Sequence, residues 1–168
     1  MDEYNLAMLI IRVSLGATMA AHGYAKFFKG GRIAGTAGWF DSMGMRPGKV
    51  HARLAAGGEI ASGVCLALGF FTAFACLGFV GLMAVAAYTV HLKNGFLILN
   101  EGWEYVFVLG ITAVTIAMLG PGEWSIDDAM GIADDLDGYT GLLISAGGGL
   151  AAAAALLAAF YRPPKPTA

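Results

Sequence analysis

Residues 5–25 read NLAMLIIRVSLGATMAAHGYA and are followed at once by Lys26. At 1.5 Å per residue such an apolar run crosses a hydrocarbon core of about 30 Å. Two ionisable residues interrupt it, Arg12 and His22. Each costs about 2.5–3.5 kcal/mol in a spanning helix on insertion scales, so each needs a partner on another helix or a snorkelling route to the surface. At 100° per residue, Arg12, Gly16, Met19, Gly23 and Lys26 share a narrow face with His22 at its edge. That face points inward, and the rest of the chain has to supply what it meets.

Working outward, four more apolar segments qualify as spans: Leu54 to Phe71, Phe74 to Leu92, Trp103 to Leu119 and Tyr139 to Tyr161. The 168 residues are 58% hydrophobic and 13% charged, with a mean hydropathy of +0.68, where soluble domains carry about 25% charged residues. The composition therefore predicts an all-α, polytopic membrane helical bundle in contact with the lipid bilayer. The acidic start, MDEYN, lacks the positive region of a secretory signal, so the first run is read as a permanent span. Two cysteines, Cys65 and Cys76, give neither a disulfide framework nor metal-ligand spacing, and are read as inert buried thiols. No metal site, covalently bound cofactor, phosphate loop or nucleic-acid surface is expected.

Charge orients the spans. Lys26, Lys29, Arg32, Arg46, Lys49 and Arg53 lie in or border the first loop, Lys93 lies in the third, and Arg162 and Lys165 follow the fifth span. Alternating spans put these nine on one side, which the positive-inside rule makes cytoplasmic, with the N-terminus outside and the C-terminus inside. The other side carries Asp2, Glu3, Glu123, Asp127, Asp128, Asp134, Asp135 and Asp137. The expected location is a bacterial plasma membrane.

Between the first two spans, Ile33, Trp39, Phe40 and Met43 recur at roughly helical spacing, which predicts a short interfacial amphipathic helix within residues 27–52. The second and third spans form a tight hairpin over Gly69 to Thr72. Gly57, Gly58, Ser62 and Gly63, with Gly78 and Gly81, are small residues that let helices approach closely. The fifth span has no ionisable residue between Tyr139 and Tyr161 and is read as a packing or docking element. The tail from Arg162 onward is expected to be disordered.

In this topology Glu59 lies about 9 Å deep from the cytoplasmic end of its helix. His22, His91 and Glu104 lie near the inner ends of three other helices, with Lys26 at the rim. A carboxylate at that depth is either protonated or paired with a cation, and Lys26 is within reach. Four helices thus send ionisable groups to one level, as a polar pocket open to the cytoplasm requires. The bland alternatives are wetted interfacial residues for His22, His91 and Glu104, and a buried charge network that locks the bundle for Glu59 and Arg12.

Three features together carry a family resemblance: Arg12 with the downstream His22-Gly23-Tyr24-Ala25-Lys26-Phe27; Glu59 opening a glycine-rich second span; and the exit Gly120-Pro121-Gly122-Glu123-Trp124-Ser125-Ile126-Asp127. From about Leu6 to Met130 the chain resembles the DoxX family of small bacterial membrane proteins. That resemblance implies a four-helix bundle, with relatives that resemble the membrane subunit of thiosulfate:quinone oxidoreductase and others linked to thiol and oxidative-stress complexes with soluble partners. The expected organisation is a DoxX-like domain over residues 1–130, an acidic outer segment with an extra fifth helix over 131–161, and a cytoplasmic tail over 162–168. The leading functional expectation is a membrane subunit of a redox complex that binds a quinone or similar lipophile. His22 and Lys26 then donate to a carbonyl, Glu59 relays protons, and Arg12 holds Glu59 or a second polar group, with His91 and Glu104 as further ligand contacts. The alternative is a non-catalytic structural or assembly subunit whose buried charges serve helix packing. A proton-coupled carrier is disfavoured, because no inverted repeat or broken-helix pair is present.

Overall fold

A computed structural model describes residues 2–163; the tail residues 164–168 lie outside it, and with them most of the segment expected to be disordered. Among the described residues the chain is all-helical, with no strand beyond an isolated bridge. Five long helices follow one another: α1 (Asp2–Phe28), α3 (Gly48–Leu68), α4 (Thr72–Asn94), α5 (Glu104–Leu119) and α7 (Gly138–Phe160). Two shorter ones, α2 (Arg32–Met43) and α6 (Ile126–Ala129), sit in connections. The amphipathic helix expected in the first loop is α2, which buries Ala37 and Phe40 against α3.

Three of these helices, α1, α4 and α7, are long and apolar enough to cross a membrane. The other two fall short for different reasons. α5 has 16 residues, and α3, with 21, carries Lys49, His51, Arg53 and Glu59.

The central core is shared by α1, α3, α4 and α5 through residues such as Met19, Leu66, Phe79, Met83, Leu109 and Ile116. α1 and α3 pack antiparallel and very closely. A Cβ built on Gly16 falls on the Gly63 carbonyl, and one built on Gly63 falls on Gly16. Small residues matter here because lipid offers no hydrophobic drive for association, and van der Waals packing has to replace it. α7 stands outside this group, packed mainly along α4 and against the end of α5.

At one end, α3 closes on Gly69 with a paired Schellman pattern. Gly69 N donates to the Leu66 carbonyl at 3.0 Å and Phe70 N to that of Cys65 at 2.8 Å. Gly69 has φ +62, and a side chain there would also strike Arg12 and Ser125, so glycine is required twice over. The next helix is capped by Asp127. Its Oδ1 accepts from Phe71 N at 2.7 Å and its Oδ2 from Thr72 N at 2.8 Å. At the same end Tyr4 donates to the Leu119 carbonyl and Glu123 N to Asn5 Oδ1.

At the opposite end the last helix is tied to the first loop. Met45 and Tyr161 form an antiparallel bridge, and Arg162 N donates to the Gly44 carbonyl at 2.8 Å. Arg162, expected to begin a disordered tail, is therefore held by backbone. Gly44 has φ +98 and sits directly beneath the Arg162 carbonyl. The basic residues Lys29, Arg32, Arg46, Lys49, Arg53, Lys93 and Arg162 lie in connections and helix ends at one end, together with Asp41, Glu101 and Glu104, while Glu123 and the acidic run 127–137 lie at the other.

Candidate functional site

Glu59 is buried on the face of α3 that meets α1. The absence of a side chain at Gly23 brings the α1 backbone there, since a Cβ at that position would stand 3.0 Å from the Glu59 Cβ. Lys26, three residues on, then projects from the same face of α1. Its Nζ lies 2.7 Å from Oε1 and 2.6 Å from Oε2 of Glu59, a bidentate pair in which the lysine side chain keeps 23% of its exposure and the carboxylate 9%.

This pair borders a cavity of about 570 Å³. His22 and His91 also line it, so residues of α1, α3 and α4 expected in one pocket do share one. His22 Nε2 is 3.4 Å from the Tyr105 hydroxyl, which joins α1 to α5 at the cavity wall. His91 closes a π-helical turn, Ala87–His91, and its Nδ1 is 2.7 Å from the Glu101 carbonyl oxygen. Such turns aim side chains differently from regular helix and recur at functional sites. Aliphatic residues form the greater part of the wall, and Trp39 and Phe40 of α2 border it.

Two of the expected site residues stand elsewhere. Arg12 is fully buried toward the opposite end, where its guanidinium donates to the carbonyls of Ala67 at 3.0 Å, Leu66 at 3.3 Å and Trp124 at 2.7 Å. The cation that holds Glu59 is Lys26, and Arg12 instead satisfies the last carbonyls of α3, where positive charge is favoured. Glu104 opens α5 and accepts from Ile98 N at 2.9 Å, so it shapes the preceding loop and does not line the cavity.

Two cavity residues were not anticipated, Tyr105 and His51. His51 is buried, with Nε2 3.3 Å from the Arg46 carbonyl and its ring edge-on to Phe160 at 5.0 Å. The spacing held the signal: residues 51, 55 and 59 are four apart, and all three line the cavity. Among the described residues no group of three or more His, Cys, Asp or Glu side chains is placed to hold a metal ion. Both cysteines are free thiols, Cys76 buried and Cys65 half-buried.

The donors suit a ligand carbonyl. An ammonium has three N–H groups, and with two directed at Glu59 one remains. Beyond Lys26, Glu59, the three histidines, Thr89 and Tyr105 the cavity is apolar, which is the usual make-up of a small-molecule site: a hydrophobic wall with a few polar groups.

The DoxX family model matches residues 7–92, just over half of the chain. An uncharacterized protein of Haemophilus influenzae is 26% identical over 81 residues, which cover 48% of this chain and 54% of that protein. The chain thus spans about half the length of the curated relative it matches. No solved structure matches. The matched residues include α1, α2, α3 and most of α4, with Arg12, His22, Lys26, Glu59 and His91 among them. The chain is a membrane protein and belongs to the DoxX family.

Proposed function

We propose that this protein is the membrane subunit of a redox complex and binds a quinone, or a lipophile with a similar polar head, in the cavity beside Lys26 and Glu59. One observation carries the reading: His22, Lys26, Glu59 and His91 all line one largely apolar cavity. In this reading the core α1, α3, α4 and α5 spans a bacterial plasma membrane with α7 as a fifth span. The basic end, with the C-terminus, faces the cytoplasm and the N-terminus faces outside.

A bound quinone supplies a two-electron acceptor; the protein supplies binding, orientation and protons. The remaining N–H of Lys26 donates to a head-group carbonyl, and His22, steadied by Tyr105, donates to a second polar atom. Glu59 holds the lysine in place and, open to the cytoplasmic end through the partly exposed ammonium, serves as the proton-relay group. The sequence has no flavin, haem or iron-sulfur motif, so electrons are assigned to a partner subunit.

A second reading has its own support. The bidentate Lys26–Glu59 pair is complete without a ligand, as a charge pair used only for packing would be. The chain would then be a structural or assembly subunit. Gentle purification in nanodiscs, with mass spectrometry of co-purifying lipids and proteins for wild type and Glu59→Gln, separates the two. A stoichiometric quinone in wild type that is lost in Glu59→Gln is the expected result. A fixed protein complex with no small molecule, unchanged by the substitution, sinks the quinone reading.

A further inference from the structure

The cavity extends well beyond its polar part. Its lining includes Leu77, Gly78 and Gly81 of α4 and Ala152, Ala153 and Leu156 of α7. These six are apolar or glycine. The two helices touch at the level of Leu77 and Gly81, where Leu77 stands against Gly148 and Gly149. A Cβ on Gly81 would stand 3.4 Å from the Gly149 carbonyl oxygen, and one on Gly149 would strike Val80. Toward the other end, Leu156 packs with Ala55 and Val85 around the cluster of Phe40 and Met45. Between these contacts α7 presents only the small side chains of Ala152 and Ala153 to the cavity.

We infer that the stretch of the cavity lined by α7 and α4 forms a slot for the hydrocarbon chain of the ligand whose polar head lies at Lys26, and so sets chain-length preference. This inference rests on the proposed function, because the slot is continuous with the head-group site. It adds a role for a helix beyond the residues matched by the family model. A chain that leaves the bilayer for the slot gains little from the hydrophobic effect, since lipid is equally apolar. The gain comes from close contact with ordered walls, which makes it sensitive to wall shape.

The test uses the full-length protein in phosphatidylcholine nanodiscs. Two benzoquinones serve as probes, one with a single isoprene unit and one with four. Binding is followed by tryptophan fluorescence, Trp39 being a lining residue, and is expressed per mole fraction of quinone in the bilayer. Wild type should prefer the longer probe by about ten-fold. Ala153→Leu narrows the slot at a buried position and Ala152→Phe does so at an exposed one that the fold tolerates. Either should reduce the preference to below about three-fold while the short probe keeps its affinity within about two-fold. Equal affinity of wild type for both probes, as when phospholipid acyl chains fill the slot, overturns the inference. So does an Ala152→Phe protein that weakens both probes alike or neither. If neither probe binds wild type, the head-group reading fails and the slot falls with it. Failure of the slot alone is recognised by intact short-probe binding.

Discussion

The charge on Glu59 is neutralised within the protein by one lysine, and this sets what single substitutions do. Glu59→Gln leaves the Lys26 ammonium beside an apolar cavity without its carboxylate. Breaking a fully buried pair costs about 3–5 kcal/mol, and partial exposure of Lys26 reduces this to about 1–3 kcal/mol. Thermal unfolding in detergent should show that loss, and Glu59→Gln combined with Lys26→Met should recover more than half of it. No recovery in the double variant would mean that the two side chains do not act as a pair. Arg12 behaves differently. Arg12→Met removes three hydrogen bonds at a buried site, leaving the Leu66 carbonyl only its bond from Gly69 N, with an expected loss of about 3–5 kcal/mol. Any bound small molecule should be retained by the protein that still folds, because Arg12 does not reach the cavity; loss of ligand at unchanged stability would count against this. The sequence offered Lys26, His22 and Arg12 as partners of Glu59, because a deep carboxylate demands a cation, and the structure pairs it with Lys26. The sequence could not foretell the partners of Arg12, because they are backbone carbonyls and carry no side-chain signal.

Among the elements, the contact of α1 with α3 is the one that places the site. The crossing at Gly16 and Gly63 and the approach at Gly23 fix the height at which Lys26 meets Glu59. Gly63→Leu should wedge the helices apart at a cost of about 1–3 kcal/mol. It should also lengthen the Lys26–Glu59 separation although neither residue is changed. Cysteine pairs placed at the two positions in a background lacking Cys65 and Cys76 would report the loss as slower cross-linking. Unchanged cross-linking would show that this crossing does not set the register. Element reading also explains why His51 was overlooked. Hydropathy begins the second span at Leu54, whereas the helix begins at Gly48, whose N–H is capped by Asp41 Oδ1 at 2.7 Å. The first turns of α3 are helical but polar, so a search for apolar runs does not register them. The amphipathic α2 was legible, because its apolar residues keep a helical spacing. The π-helical turns at Ala87–His91 and Leu143–Gly148 left no pattern that periodicity could detect.

For the molecule as a whole, the depth of each polar group followed from topology, while rotation about each helix axis did not. That is why His22, Lys26, Glu59 and His91 line one cavity, yet Glu104, expected at a similar level, faces a loop. The join between the first loop and the end of α7 is the feature that gives the cavity its last wall. Gly44→Val introduces a β-branched residue at φ +98 against the Arg162 carbonyl, a cost of roughly 1–3 kcal/mol. Hydrogen exchange should then show faster labelling at Arg46 and Arg162, with the rest of α1 and α3 unchanged. Equal protection in the variant would show that the join contributes nothing to holding α7.

That join also has a meaning in time. The Gly44 carbonyl and the Arg46 amide are made early in synthesis, and the groups that satisfy them, Arg162 N–H and the Phe160 carbonyl, arrive more than a hundred residues later. Until the ribosome has delivered α7, the first loop waits with open backbone groups and the cavity lacks a side. The order of translation thus places closure of the cavity after the synthesis of α7.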